Sequence, residues 1–508
     1  MATEVPSPAP APGSAALPEH LDVLVVGAGL SGIGAACHLA TERPGTTYAV
    51  LESRGAIGGT WDLFRYPGIR SDSDMFTLGY SFRPWNEDRA IADGASIRRY
   101  IEETAREYGV VDKIRFHTKV LSADWSSADA RWTVTVERTD TGATGQLTCS
   151  WLHVCSGYYR YDEGFRPHFA GEERFTGELI HPQHWPADFD ATGKRIVVIG
   201  SGATAVTLVP NLADDAEHVT MLQRTPSYVL SLPGEDPLAR KLRSRLPQRW
   251  AYPIVRWKSV LGSTALYQFS RRWPSAARKL IRRLTEKQLP AGVDVDTHFN
   301  PPYDPWDQRL CLVPDGDLFR SLRRGRASIV TDRIASFTER GIALESGQQL
   351  DADVIVTATG LNLLPVGGMT LSVDGGEVKL ADTVSYKGMM VSGVPNFTMV
   401  IGYTNASWTL KADLVNRYLC RLLAHLEARG LAVATAVAPP EGADQPFLDL
   451  AAGYVQRSLA DLPKQGRRTP WRLHQNYIRD VRLMRHGSVE DEGIRFSAAP
   501  ARTEQAAA

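Results

Sequence analysis

Leu21-Asp22-Val23-Leu24-Val25-Val26-Gly27-Ala28-Gly29-Leu30-Ser31-Gly32 couples a short apolar run to a glycine-rich turn, and the residues beyond it keep helical potential to about Ala40. An apolar strand that feeds a GxGxxG turn opening a helix is the dinucleotide-binding arrangement. Gly27 permits the tight turn, Gly29 lets a pyrophosphate approach the backbone, Gly32 lets the helix pack on the strand, and the helix N-terminus aims amides at the anion. Tyr48-Ala49-Val50-Leu51 reads as the second parallel strand. It ends at Glu52, twenty residues after Gly32, where a carboxylate hydrogen-bonds the ribose hydroxyls of an adenosine.

The same logic recurs farther on. Lys194-Arg195-Ile196-Val197-Val198-Ile199 leads into Gly200-Ser201-Gly202-Ala203-Thr204-Ala205, with Ala205 in place of the last glycine. His218-Val219-Thr220-Met221-Leu222-Gln223-Arg224 supplies the next strand and ends it in a base, followed by Thr225. An acid pairs with a free ribose, whereas an arginine can neutralise a 2'-phosphate. The first site is therefore assigned to FAD and the second to NADPH/NADP+.

Val354-Ile355-Val356-Thr357-Ala358-Thr359-Gly360 and Leu152-His153-Val154-Cys155-Ser156-Gly157 are further buried-strand patterns ending in small residues. They read as the crossings where the chain leaves and re-enters the first domain. The expected fold is α/β, with two Rossmann-like dinucleotide-binding domains, the NADP domain inserted into the FAD domain, and a helical subdomain. The expected order is a disordered tail over 1–17, the first part of the FAD-binding domain over 18–157, and an NADP-binding domain over 158–353 carrying a basic helical insertion at about 232–290. The second part of the FAD-binding domain follows over 354–490, and a flexible C-terminal tail over 491–508.

A length of 508 residues exceeds what one hydrophobic core supports, and 43 % apolar residues suit a globular enzyme. Lys plus Arg equals Asp plus Glu at 57 each, so net charge gives no argument for nucleic acid. Cys37, Cys149, Cys155, Cys311 and Cys420 form no CxxC pair and no disulfide framework, which favours a reducing cytoplasm, and no metal site is expected. The first seventeen residues hold four Pro and five Ala without a continuous apolar run, unlike a signal peptide. No apolar stretch reaches the roughly 18 residues needed to span a bilayer.

Between Arg240 and Lys287 stand fourteen Lys or Arg and one acid, Glu286, interleaved with Trp250, Trp257, Tyr267, Phe269 and Trp273. The first reading is a set of surface helices that roof the active site. The second is weak attachment to an anionic membrane surface, placing the protein at the membrane periphery. Nucleic acid ranks last, because no recognition module accompanies the charge. Monomer and homodimer both stay open.

Gly58-Gly59-Thr60-Trp61 and Arg65-Tyr66-Pro67-Gly68-Ile69-Arg70-Ser71-Asp72 form a loop too rich in glycine and charge for a core, suited to wrapping a flavin. Between the two glycine turns lies Phe175-x-Gly177-x-x-x-His181-x-x-x-Trp185-Pro186. With these motifs in place, the chain resembles the type I Baeyer-Villiger monooxygenases of the flavin-containing monooxygenase superfamily, most of all their ethionamide-activating branch. The similarity runs from about Leu21 through Asp480 and includes Tyr303 to Cys311, Gly402 to Thr409 and Thr469 to Tyr477.

The resemblance implies an FAD-dependent, NADPH-using enzyme that converts ketones and O2 to esters or lactones through a C4a-peroxyflavin. It makes Arg309 the active-site arginine, Asp72 the carboxylate that orients it, and Arg224 and Thr225 the 2'-phosphate contacts. It makes the Phe175 to Pro186 segment a hinge between domains, so His181 is expected as a structural hydrogen-bonder rather than a base. Gln308 departs from the family, where many members carry a lysine. Asn405, Ser407 and Trp408 are expected at a wall of the substrate pocket. From the residues alone, Arg309 could equally belong to a structural ion pair.

The alternative is a flavin monooxygenase acting mainly on the sulfur or nitrogen of thioethers, thioamides or amines. A disulfide reductase is disfavoured by the absence of a CxxC pair. A non-catalytic binding protein has no use for both nucleotide sites together with Asp72 and Arg309.

Overall fold

The computed structural model describes residues 20–500. The 1–17 tail and residues 501–508 lie outside the described residues.

Two sheets organise the molecule. The first has nine strands. Its parallel core runs Ile114–Arg115, Tyr48–Leu51, His20–Val26, Thr144–Val154, and Phe397–Met399 lies along the far half of the last of these. Thr118–Ser126 and Arg131–Arg138 extend it as an antiparallel meander that packs Trp125 against Trp132. The residues of His20–Val26 nearest the turn and all four of Tyr48–Leu51 are buried, as expected of parallel strands covered on both faces. Gly27 has φ +104°, and a Cβ there would stand 2.8 Å from the Cys155 carbonyl oxygen. Any side chain at that position would open the turn.

The second sheet has five parallel strands in the order Ala327–Thr331, His218–Gln223, Arg195–Ile199, Val354–Thr357, Glu178–Ile180. This corrects the expected domain boundary at 353/354. Val354–Thr357 is not the first strand of the returning FAD domain; it is an interior strand of the NADP sheet, paired on both sides. A four-residue, wholly buried strand looks the same from either sheet, and only its partners decide. The crossings themselves meet: Tyr159–Gly164 on the way out pairs antiparallel with Leu361–Leu363 on the way back. The two domains are thus joined by a two-stranded ribbon rather than by two independent linkers.

The basic insertion forms three helices, Pro237–Arg243, Gln248–Arg272 and Pro274–Glu286. Asp236 caps the first by accepting from the Leu238 and Ala239 amides at 3.0 Å. The long second helix rests on the FAD domain. Arg256, buried on its inner side, donates to the Phe76 and Gly79 carbonyls at 2.7 and 2.8 Å, and the Tyr252 hydroxyl donates to the Tyr80 carbonyl at 3.0 Å. The third helix faces the NADP domain, where Thr285 donates to the Val229 carbonyl at 3.1 Å.

Trp408–Arg429 is the longest helix of the returning half, and it packs beside Leu30–Glu42. The expected flexible tail from 491 is also corrected. Ile494–Ser497 pairs antiparallel with Val433–Ala436, and Ile494 is buried. Four residues carry too little periodicity to announce a strand, but the open edge of Val433–Ala436 supplies the backbone partners.

Candidate active site

A cavity of about 810 Å³ runs from the first glycine turn to the helix of the second. Gly27, Gly29, Glu52 and the Gly58–Trp61 loop line one end, and Ala203, Thr204 and Thr207 line the other, with Arg309, Asp72 and Trp408 on the wall. One continuous space therefore touches both dinucleotide motifs.

The first end fits FAD. Gly29 and Gly59 approach so closely that a Cβ on Gly59 would lie 3.0 Å from the Gly29 Cα, so the two loops leave a slot walled by backbone. Glu52 accepts from the Ala28 amide at 2.8 Å and the Arg54 amide at 2.9 Å, which fixes its carboxylate beside the turn. Burial raises its pKa, and the two amides pull it down by less. Thr60 and Trp61 line the same loop, with the Thr60 hydroxyl 3.3 Å from that of Tyr161. Behind Trp61, the buried carboxylate of Asp62 gathers Arg54, Arg65 and Arg98 at 2.6 to 2.9 Å.

The second end fits NADP(H). Among the described residues, nothing beyond its own chain neighbours lies within 4 Å of where a Gly202 Cβ would stand, so the turn offers its backbone to a phosphate. Ser201 donates to the Thr225 carbonyl at 2.9 Å, which brings the end of the next strand beside Gly200. Arg224 is exposed there and forms no salt bridge among the described residues. Tyr66 and Gly68 of the FAD domain reach across. Burial pushes the Tyr66 phenol up to about 12 against a hydrogen bond with Thr204 that lowers it, and a Cβ on Gly68 would collide with Asn211 at 2.1 Å.

Between the ends, Arg309 Nη2 meets Asp72 Oδ2 at 2.6 Å. Arg309 sits just before the strand Cys311–Pro314, which pairs with Val229–Leu232, and its segment is anchored by Asp307 to Arg271 at 2.6 Å. Burial pulls the guanidinium pKa down, and Asp72 with the phenols of Tyr454, Tyr158 and Tyr159 raises it by more. The three phenols themselves are raised by burial, so they keep their protons at neutral pH. Arg309 is thus a permanent cation paired with its own carboxylate, with three neutral phenols close enough to act on its charge.

Tyr158, Tyr159 and Tyr161 also line the cavity, three site residues that the sequence motifs do not include. The sequence carries the signal: three tyrosines stand within seven residues after the strand that ends at Val154.

The Phe175 to Pro186 segment lies off the cavity. Phe175 packs edge-on against Phe337, and a Cβ on Gly177 would strike the Asp353 carbonyl at 2.4 Å. His181 Nδ1 accepts from the Gln183 amide at 3.2 Å, and its ring fills the space a side chain at Gly164 would need. Burial lowers its pKa, while the Gly360 backbone raises it by less. Trp185 stacks edge-on with Phe189, beside Pro186. His181 therefore ties the outgoing ribbon strand to the start of the NADP sheet.

The expected pocket wall at 405–408 is corrected in part. Trp408 lines the cavity, its Nε1 donating to the Ser31 hydroxyl at 2.8 Å. Ser407 instead bonds the Thr77 hydroxyl at 2.6 Å, and Asn405 donates to the Gln475 carbonyl at 2.8 Å. Tyr403 and Ala406 take the places on the wall. The Ser407 hydroxyl and the Asn405 amide nitrogen are thus bonded within the protein rather than turned to the cavity.

A family model described as flavin-binding monooxygenase-like matches residues 21–365. The FAD-containing monooxygenase EthA of Mycobacterium tuberculosis is 57 % identical over 485 residues, covering 95 % of this chain and 99 % of that one. Among solved structures, OTEMO in complex with FAD and NADP superposes with a TM-score of 0.71 at 20 % identity, covering 94 % of this chain and 99 % of that chain. The polycyclic ketone monooxygenase of Thermothelomyces thermophila superposes with a TM-score of 0.75 at 17 % identity, covering 96 % and 91 %. At such identities the likeness speaks for the fold.

Proposed function

The chain belongs to the flavin-binding monooxygenase-like family, a monooxygenase that binds FAD and NADP(H) and uses NADPH and O2, and from that premise we propose that it oxygenates soft sulfur and nitrogen nucleophiles. Thioethers, thioamides and amines are the substrate class. FAD, when bound, supplies the reduced ring at which O2 is activated.

The observation that carries this reading is the compensated charge at the cavity wall. Oxygen transfer to sulfur or nitrogen needs a proton kept on the transferred oxygen, and that same proton passes to the leaving oxygen as the transfer completes. Tyr158, Tyr159 and Tyr454 hold their protons around Arg309, and the Asp72 carboxylate is engaged by that arginine rather than free to act as a base. Tyr158 and Trp408 add aromatic surface to the cavity wall, which disfavours water beside the reacting oxygen.

A second reading, insertion of oxygen beside a ketone carbonyl, is favoured by Arg309 itself. That reaction develops negative charge on the attacking oxygen, which a guanidinium of fixed geometry can hold. The ketone substrate named for a structural relative belongs to a chain 17 % identical to this one, so it adds no weight here.

The test is turnover of the flavin-loaded protein with NADPH and O2 on matched thioethers and ketones, with products identified. Sulfoxide formation at higher kcat/KM than ester or lactone formation is expected. Ester or lactone formation with the thioethers left unchanged would overturn the heteroatom reading in favour of the second.

A further inference from the structure

Every large hydrophobic side chain that stands exposed among the described residues lies between Leu238 and Leu284, within or beside the three basic helices. On the long helix, Trp250, Ile254, Trp257 and Leu261 fall at i, i+4, i+7 and i+11, a single stripe along one side. Trp250 is 61 % exposed and Leu261 52 %, while Ala251, Tyr252, Val255, Arg256 and Val260 bury the opposite side. Leu280 and Leu284 make a shorter stripe on the next helix, and Trp273, 56 % exposed, stands at the junction. A concentration of this kind marks an interaction surface.

The cations of the same region fall into two groups. Arg240, Arg243, Lys258, Arg271, Arg278 and Arg282 each pair with an acid, and Arg256 is buried on backbone carbonyls. Lys241, Arg245, Arg249, Arg272, Lys279, Arg283 and Lys287 are exposed and form no salt bridge among the described residues. Protein acids thus account for six of these cations and leave seven exposed ones unpaired.

We propose that this face docks on the surface of an anionic lipid bilayer. Tryptophan and leucine stripes enter the headgroup boundary while Lys and Arg bind lipid phosphates, which is how interfacial helices are held. A second copy of the chain would set seven unpaired cations against seven more, so self-association through this face is opposed by charge. An acidic protein would match the cations yet leave seven exposed apolar side chains in need of a groove. A bilayer meets both demands at once, and the inference is independent of the substrate class.

The test uses the flavin-loaded protein in flotation with vesicles of equimolar phosphatidylglycerol and phosphatidylcholine, against vesicles of phosphatidylcholine alone, at low and high salt. Salt-sensitive binding to the anionic vesicles is expected. One variant combines Trp250→Ser, Ile254→Ser and Leu261→Ser; a second combines Lys279→Gln, Arg283→Gln and Lys287→Gln, with bound flavin and thermal melting as controls for folding. The charge variant should lose on the order of a hundredfold in partitioning, at about 1 kcal/mol for each cation near the surface, and the apolar variant should lose binding as well. Absence of binding to anionic vesicles at low salt would overturn the proposal, as would binding that neither variant weakens. Sedimentation showing a dimer that the apolar variant dissociates, without vesicle binding, would overturn it in favour of a second copy. Capture by polyglutamate with no vesicle binding would overturn it in favour of an acidic partner.

Discussion

Asp72 and Arg309 meet at 2.6 Å although one belongs to the FAD domain and the other to the NADP domain. The pair therefore closes across the domain boundary and reports its alignment, besides placing a charge on the cavity wall. Any motion that separates the domains breaks it.

Replacing Arg309 with Ala should cut oxygenated product by about 10²–10³, the usual cost of losing one electrostatic stabiliser of a reacting oxygen. The side chains are 30 % and 36 % exposed, so after allowance for solvent screening the stability cost should stay within about 1 kcal/mol. FAD content and the rate of flavin reduction by NADPH should stay near wild type. Stopped-flow reduction alongside product analysis checks this, and full product yield from the variant would remove the role assigned to Arg309.

Arg224 stands exposed and unpaired beside the second glycine turn, where a 2'-phosphate would lie. Arg224→Ala should weaken NADPH by about 1–2 kcal/mol, roughly five- to thirtyfold in KM, through loss of a charge-assisted bond. NADH, which lacks the phosphate, should be used as before. Equal losses with both nucleotides would place Arg224 elsewhere in the site.

The glycine turns were legible because backbone geometry dictates their residues: a φ of +104° at Gly27 beside the Cys155 carbonyl leaves no room for a side chain. The Arg309–Asp72 pair was legible only through resemblance, since 237 residues separate its members and no local pattern links them. Val354–Thr357 belongs to the NADP sheet rather than the expected FAD sheet because burial fixes that a strand is interior, not which neighbours it pairs with. Asn405 and Ser407 differ from expectation for a related reason: the Asn405 Nδ2 and the Ser407 hydroxyl bond Gln475 and Thr77, partners distant in sequence. In the basic insertion the sequence displayed the charge, and the fold alone divided it into paired and unpaired cations.

Arg256 is a buried cation held by backbone carbonyls rather than a carboxylate, and it fastens the long helix to Phe76 and Gly79. Arg256→Leu should destabilise the protein by about 2–4 kcal/mol, because the carbonyls it satisfies lose their donor in a dry interface. Urea denaturation followed by flavin fluorescence measures this. A change below about 0.5 kcal/mol would mean that water reaches those carbonyls.

His38 links the two halves of the FAD domain, its Nε2 lying 2.7 Å from Asp413 and its Nδ1 2.9 Å from Glu42. Burial pulls the imidazole pKa down, and the bonds to Asp413 and Glu42 raise it by more, leaving it above its ordinary value. A group whose pKa is raised by folding stabilises the fold fully below its unfolded pKa, about 6.5, and that contribution disappears as pH rises through the folded pKa. Asp413 has the opposite sign: its own burial is the largest influence and opposes ionisation, the bond and charge of His38 with Arg256 and Ser81 together outweigh it, and its contribution is lost as pH falls through its lowered pKa. The melting temperature should therefore decline on raising pH from about 6.5 toward the folded pKa, and His38→Gln should flatten that decline while lowering stability at the acidic end of the window. A His38→Gln protein that keeps the wild-type slope over this range would show that the imidazole titrates alike in the folded and unfolded chain.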